Sequence, residues 1–105
     1  MIVLYDQGGI DGDDLAAGTF TCFPYVTVNS RDQVMFGFSA SAPNMFAGAF
    51  AAERGPADTP GTVGESLVVQ EGKDFYIRKF GQDCKRWGDY SGRLVDPTNE
   101  KYLWV

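Results

Sequence analysis

The chain has 105 residues, of which 44% are hydrophobic and 14% aromatic, a composition that argues against disorder and fits one small globular domain. Its net charge of −5 argues against nucleic-acid binding, because an acidic surface repels phosphate. The sequence has no histidine, which excludes Ser-His and Cys-His catalytic pairs within it, and no apolar run approaches the roughly 20 residues of a membrane span.

The N-terminal part is predicted to be a short strand over residues 2–5 followed by a polar turn region over residues 6–18. The turn region contains an Asp-Gly-Asp-Asp cluster with Asp11, Asp13 and Asp14. Ca²⁺ prefers such oxygen-rich loops, but the cluster lacks the remaining ligands of an EF-hand, and a solvated turn is the simpler interpretation. We therefore expect no cofactor, with Ca²⁺ at these three aspartates as the alternative.

The first strong prediction is a β-hairpin made of residues 23–28 and 34–40 and joined by a turn over residues 29–32. Pro24 stands near the start of its strand, where a missing N–H donor does least harm. Residues 45–53 fit a helix as well as a strand, and we assign a third strand because the surrounding segments are β.

The second half of the chain alternates loops and short apolar runs. Residues 54–64 are predicted to be a loop and residues 65–70 a fourth strand. Further strands are predicted over residues 75–80, 88–96 and 101–105. The predicted fold class is all-β, with antiparallel four-stranded sheets.

Cys22 and Cys84 are the only cysteines, and their spacing matches no zinc or redox motif. One disulfide and two small hydrophobic side chains are both consistent with the sequence.

An internal repeat relates the hairpin at residues 23–38 to residues 89–105. Val28-Asn29 recurs as Val95-Asp96 about 67 residues later, and each pair precedes a turn and an aromatic-rich strand. Chance similarity between two hairpins is the alternative, since turns share their composition.

This repeat predicts about one and a half blades of a β-propeller, with residues 1–105 as a single fragment. The blade strands would span about residues 23–80, and the next blade would start at about residues 88–105. Apolar segments at both ends favour a fragment, or an assembly of copies, because unpaired strands need neighbours. The expected partners are the remaining blades of a parent propeller or copies of the chain itself.

The run Arg-Trp-Gly-Asp-Tyr-Ser-Gly at residues 86–92, followed by Val-Asp-Pro at residues 95–97 and by Trp104, resembles the C-terminal part of secreted, sialidase-like (BNR-type) β-propeller proteins. Further similarity in the same order is found at residues 23–26, 37–41 and 61–62. The resemblance implies a propeller fold and an extracellular or cell-surface parent. It does not imply sialidase activity, because the Asp-box Ser-x-Asp-x-Gly-x-Thr-Trp is missing from the sequence.

In a propeller, the loop that contains Arg86, Asp89 and Tyr90 would open onto the mouth of the central channel. These side chains are therefore candidates for binding a polar or anionic ligand, or a cation through Asp89. In the alternative interpretation, Arg86 and Asp89 pair with each other and with the backbone, while Trp87 and Tyr90 fill the space between blades.

The sequence favours a non-catalytic structural or ligand-binding module of a secreted propeller, with a carbohydrate or a protein as ligand. The alternative is part of a glycoside hydrolase of exo-sialidase type with a site at the channel mouth. The carboxylate pairs that it would need, Asp58 with Glu65 or Asp89 with Asp96, are not specified by any motif. A third hypothesis is a small domain that self-associates through its edge strands.

Overall fold

The computed structural model describes residues 1–4, 6–77, 87–88 and 90–104, which form six β-strands and no helix. Strands β1 to β4 form one antiparallel sheet in the order β1-β2-β3-β4, and β5 and β6 form a separate hairpin. The strands are β1 (Phe20–Val28), β2 (Val34–Ala42), β3 (Met45–Arg54), β4 (Leu67–Gln70), β5 (Leu94–Val95) and β6 (Leu103–Trp104). The predictions of an all-β chain and of a four-stranded antiparallel sheet are confirmed. Within these residues no helix has the length and apolarity needed to cross a membrane.

The predicted β1–β2 hairpin is present and is longer than the sequence indicated. Its turn is closed by Asn29, whose Oδ1 accepts the N–H groups of Arg31 and Gln33, each at 3.0 Å. Asp32 adopts the left-handed conformation, with φ of 58°, which aspartate tolerates better than most residues. The side-chain bonds of Asn29 therefore specify where β1 ends and β2 begins.

A β-bulge interrupts β1 between Cys22 and Tyr25, and Pro24 lies inside it. Proline has no N–H to donate to a neighbouring strand, so a bulge on an edge strand accommodates it. Phe23 has a positive φ of 53° at this bulge. The bulge shifts the register of β1, which the alternation of residues in the sequence did not predict.

Residues 45–53, which fitted a helix as well as a strand, lie in the central strand β3, between β2 and β4. The strand has a core face because Phe50 pairs with Phe38 of β2, and their rings stack with centroids 6.2 Å apart. Ala40 and Ala52 complete the buried cluster, with 1% and 0% of their surfaces exposed. Helix propensity of the alanines is overridden by pairing on both sides.

Both faces of this sheet are covered near its centre. On the face of Phe38, three side chains from outside the sheet, Ile10, Leu15 and Val63, pack against the core. On the opposite face, the guanidinium of Arg93 lies over Gly37, which is buried. The centre of the sheet therefore lies between the N-terminal segment and the C-terminal segment.

In both hairpins of the predicted repeat, the residue after the first strand closes the turn with its side-chain oxygen. Asp96 follows β5 as Asn29 follows β1, and its Oδ1 accepts the N–H groups of Thr98 at 2.8 Å and Asn99 at 3.0 Å. The hairpins differ in size, since β5 and β6 have two residues each, whereas β1 and β2 have nine. The similarity is therefore confined to the turn and the residues around it.

Several strand predictions were too long or wrong. Residues 2–4 and 75–77 are not in strands, and residues 78–80 lie outside the described part of the chain. The strands predicted over residues 88–96 and 101–105 shorten to β5 and β6. A strand needs a partner for its backbone groups, and none of the described residues pairs with residues 2–4 or 75–77, whatever their β propensity.

Candidate functional site

Two of the residues predicted to bind a ligand, Arg86 and Asp89, lie outside the described residues, as does Cys84. The third, Tyr90, has 91% of its surface exposed. Between them, Trp87 donates its Nε1–H to Ser39 Oγ at 3.1 Å and packs edge-on against Tyr76, with ring centroids 5.1 Å apart. Trp87 therefore fastens this segment to the sheet, while Tyr90 points away from it.

The aspartates predicted as a cation site are engaged in local hydrogen bonds. Asp14 accepts the N–H of Ser66 at 2.6 Å and its hydroxyl at 3.0 Å, and Asp11 accepts the N–H of Asp13 at 3.2 Å. Asp14 thus attaches the N-terminal segment to the residue before β4. In the part of the chain that the structure describes, no three acidic or cysteine side chains are grouped to hold a metal. Ca²⁺ binding by these aspartates stays a prediction.

The candidate site is a cavity of about 510 Å³ on the face of the sheet that carries Phe38, which we call the main cavity. Three separate parts of the chain enclose it: the N-terminal segment, strands β1 to β3 and the loop before β4. Its lining comprises Asp6, Gln7, Gly8, Gly9, Ile10, Thr21, Cys22, Pro24, Phe36, Phe38, Arg54, Gly61, Thr62 and Val63.

The apolar wall of the main cavity follows from the strand alternation. Phe36 and Phe38 are two residues apart on β2, so both point to the same face. Ile10 faces them from the N-terminal segment, which Thr21 holds in place by donating its hydroxyl to the Ile10 carbonyl at 2.8 Å. Val63 closes the wall from the loop before β4. The result is a concave surface with aromatic and aliphatic sides.

The polar end of the main cavity is an ion pair between Asp6 and Arg54, whose side chains are 18% and 19% exposed. Asp6 also accepts the N–H groups of Gly61 at 3.0 Å and Gln7 at 2.8 Å. The Gly61 hydrogen bond is the main reason that the pKa of Asp6 is lowered, and Gln7 and Arg54 lower it further. Asp6 is therefore ionised at neutral pH and compensates the charge of Arg54.

This arrangement favours binding over catalysis. Among the described lining residues Cys22 is the only thiol, and burial raises its pKa, which disfavours the reactive thiolate. The hydroxyls of Thr21 and Thr62 have no histidine to activate them. The single carboxylate, Asp6, has a lowered pKa, whereas a general acid at neutral pH needs a raised one.

Sequence reasoning missed this site because its parts are far apart in the chain. Asp6 and Arg54 are separated by 48 positions, and Thr21 and Ile10 by 11. The available signal was the high glycine content of residues 6–12 and of the loop before β4, which we interpreted only as turns.

Comparison of the chain with protein-family models, with curated proteins and with solved structures found no match, so the geometry of the described residues is the basis for assigning a function.

Proposed function

We propose that the chain is a non-catalytic structural or ligand-binding module, one blade and the start of the next, of a β-propeller in a secreted or cell-surface, sialidase-like protein. The observation that carries the proposal is a four-stranded antiparallel sheet that has buried side chains on both of its faces. A blade is buried between its two neighbours, so both of its faces must be apolar. Here Phe38 and Ala52 are buried on one face and Ala51 on the other, with at most 6% of each exposed.

An exposed apolar patch supports a further neighbour. Val26 and Val28 of β1 are 59% and 54% exposed, and pairing with Phe36 and Val34 sets them on the same face as the core. We call Val26 and Val28 the β1 patch. A neighbouring sheet, supplied by the parent protein or by a second copy of the chain, would cover it.

Part of a glycoside hydrolase is the second candidate, and Asp96 does not fit the general acid that it would need, although an ionised carboxylate could be its nucleophile. Asp96, one of the carboxylates that it would use, has its pKa lowered to about 2 by hydrogen bonds, first from the Thr98 hydroxyl and N–H and then from Trp104 Nε1. A general acid of a glycosidase needs a raised pKa. Release of 4-methylumbelliferone from fluorogenic sialosides and other glycosides would establish this alternative and contradict a non-catalytic role.

The oligomeric state tests the blade proposal. If copies pack face to face, light scattering will show a discrete oligomer that Val26→Lys disrupts, because a lysine on the β1 patch cannot be buried. The matched control is Val69→Lys on β4, the free edge of the sheet, which is expected to leave the oligomer intact. The reverse result would identify edge-to-edge pairing of strands instead.

A separate experiment tests whether this chain is part of a longer parent protein. Intact mass spectrometry of the natural polypeptide is expected to give a mass well above the 11.5 kDa of this chain. A natural polypeptide of 11.5 kDa that is also monomeric at all concentrations would contradict both forms of the proposal.

A further inference from the structure

We infer that the main cavity binds a small, uncharged and predominantly apolar molecule that presents one hydrogen-bond acceptor to Arg54. The inference deepens the ligand-binding part of the proposed function and rests on it only to that extent. The cavity lies within one copy of the chain, so it does not require neighbouring blades.

The size and the wall of the cavity set the kind of molecule. A volume of about 510 Å³ lies within the range of roughly 300–1,000 Å³ that is usual for small-molecule sites. Phe36 and Phe38 supply aromatic surface, and Ile10 and Val63 supply aliphatic surface on the other sides. A flat ring system lying against this wall would exchange water contact for apolar contact.

The ion pair sets the charge of the ligand. Asp6 and Arg54 compensate each other, and among the described lining residues they are the only ionisable side chains apart from the Cys22 thiol. An anion or a cation entering the cavity would lose its hydration without gaining an unpaired opposite charge. An uncharged molecule avoids this cost.

The N–H donors of Arg54 determine which hydrogen-bonding group the ligand presents. Its Nη1 donates to Asp6, its Nε–H is enclosed beyond the reach of a ligand, and no described residue accepts a hydrogen bond from its Nη2. A ligand acceptor at this end of the cavity would therefore bond to the Nη2 of Arg54, a charged donor whose hydrogen bonds are stronger than those of neutral groups. Asp6 already accepts three hydrogen bonds, from Arg54, Gly61 and Gln7. The available group at this end is therefore a donor, which calls for an acceptor on the ligand.

A set of four naphthalene probes of matched size tests the inference by NMR titration of the ¹⁵N-labelled chain. The neutral ketone 2-acetylnaphthalene is expected to bind with a Kd on the order of 100 μM. 2-Isopropylnaphthalene, which has the same shape and no acceptor, should bind about threefold more weakly or worse. The 2-naphthoate anion and the 2-naphthylmethylammonium cation should each bind about tenfold more weakly or worse than the ketone.

The position of binding is tested in the same spectra. Shift changes are expected at Ile10, Phe36 and Val63. Val63→Trp, which fills the cavity, should abolish them, while the control Val69→Trp on the free edge of β4 should keep them. If Val63→Trp does not fold, the shift map of the unsubstituted chain locates the site.

Three results would overturn the inference: no shift changes at the cavity, tighter binding of either charged probe, or contacts between Ile2 and Phe36 in the free protein that show the N-terminus filling the cavity. The Val26→Lys variant keeps the two proposals separable, since it is expected to lose assembly while it binds 2-acetylnaphthalene unchanged.

Discussion

At the scale of single residues, the closest packing on the second face of the sheet is between Gly37 and Arg93. A Cβ on Gly37 would overlap the guanidinium of Arg93. Burial also lowers the pKa of Arg93, and its Nη1 is enclosed without an acceptor among the described residues. The Arg93 side chain is therefore held by packing, and Gly37 is the residue that makes room for it.

Gly37→Ala is expected to destabilise the chain by roughly 1–2 kcal/mol, because the added methyl group pushes the Arg93 guanidinium aside and removes its cover from the second face of the sheet. The urea midpoint, measured by circular dichroism, reports the change. The control is Gly9→Ala, where an added Cβ has no heavy atom within 4 Å, and its effect should stay within about 1 kcal/mol. Equal midpoints for Gly37→Ala and the unsubstituted chain would contradict the packing that we describe.

At the scale of elements, Asn29 connects the two hairpins. Its Oδ1 closes the β1–β2 turn, and its Nδ2 donates to the carbonyl of Glu100 at 3.3 Å. The carboxylate of Glu100 in turn accepts both the N–H and the hydroxyl of Ser30. The turn of the first hairpin is thus also the docking site of the second.

Asn29→Asp separates these two roles, because the carboxylate keeps the acceptor for the turn N–H groups and loses the donor to Glu100. The donor to Gln33 Oε1 is lost as well, but that is an exposed contact between side chains. Hydrogen exchange is expected to speed up at the N–H groups of Asp96 and Tyr102, which hold the second hairpin together. The amides of β1 and β2 should remain protected. Asn29→Ala loses both roles, so it should also destabilise the first turn, by roughly 1 kcal/mol or more. Unchanged exchange at Asp96 and Tyr102 in Asn29→Asp would show that Asn29 does not hold the second hairpin.

At the scale of the whole molecule, the sequence predicted what is local and missed what is long-range. Strands β1, β2 and β4 followed from local residue patterns and turn residues, and β3 followed only from its β surroundings. The β1 bulge and the main cavity did not, since the cavity needs Asp6 beside Arg54 and Ile10 opposite Phe36. The strand predicted over residues 75–80 failed over residues 75–77 because β propensity supplies no pairing partner.

Carboxylates attach the N-terminal segment and the second hairpin, β5–β6, to the rest of the fold, which makes the molecule sensitive to acid. Asp6 joins the N-terminal segment to β3, Glu100 joins the second hairpin to the first, and Asp96 closes the second hairpin. The pKa of each is lowered in the folded chain. The main causes are the Gly61 N–H for Asp6, the Ser30 hydroxyl for Glu100 and the Thr98 hydroxyl for Asp96, the last with a pKa of about 2.

A carboxylate whose pKa is lower in the folded state than in the unfolded state binds fewer protons when folded, so it stabilises the fold at higher pH. The stabilisation is complete above the ordinary values of 3.8 for aspartate and 4.5 for glutamate, and it is lost as the pH falls towards 2. The urea midpoint should therefore be constant near neutral pH and decline between about pH 4.5 and pH 2.

Asp96→Asn should lower the urea midpoint at pH 7 and make its decline at acidic pH shallower. Glu71→Gln is the control, because the Glu71 carboxylate is exposed and accepts no hydrogen bond from the described residues, and it should leave the profile unchanged. A profile of Asp96→Asn parallel to that of the unsubstituted chain would mean that the Asp96 hydrogen bonds do not hold the second hairpin in solution.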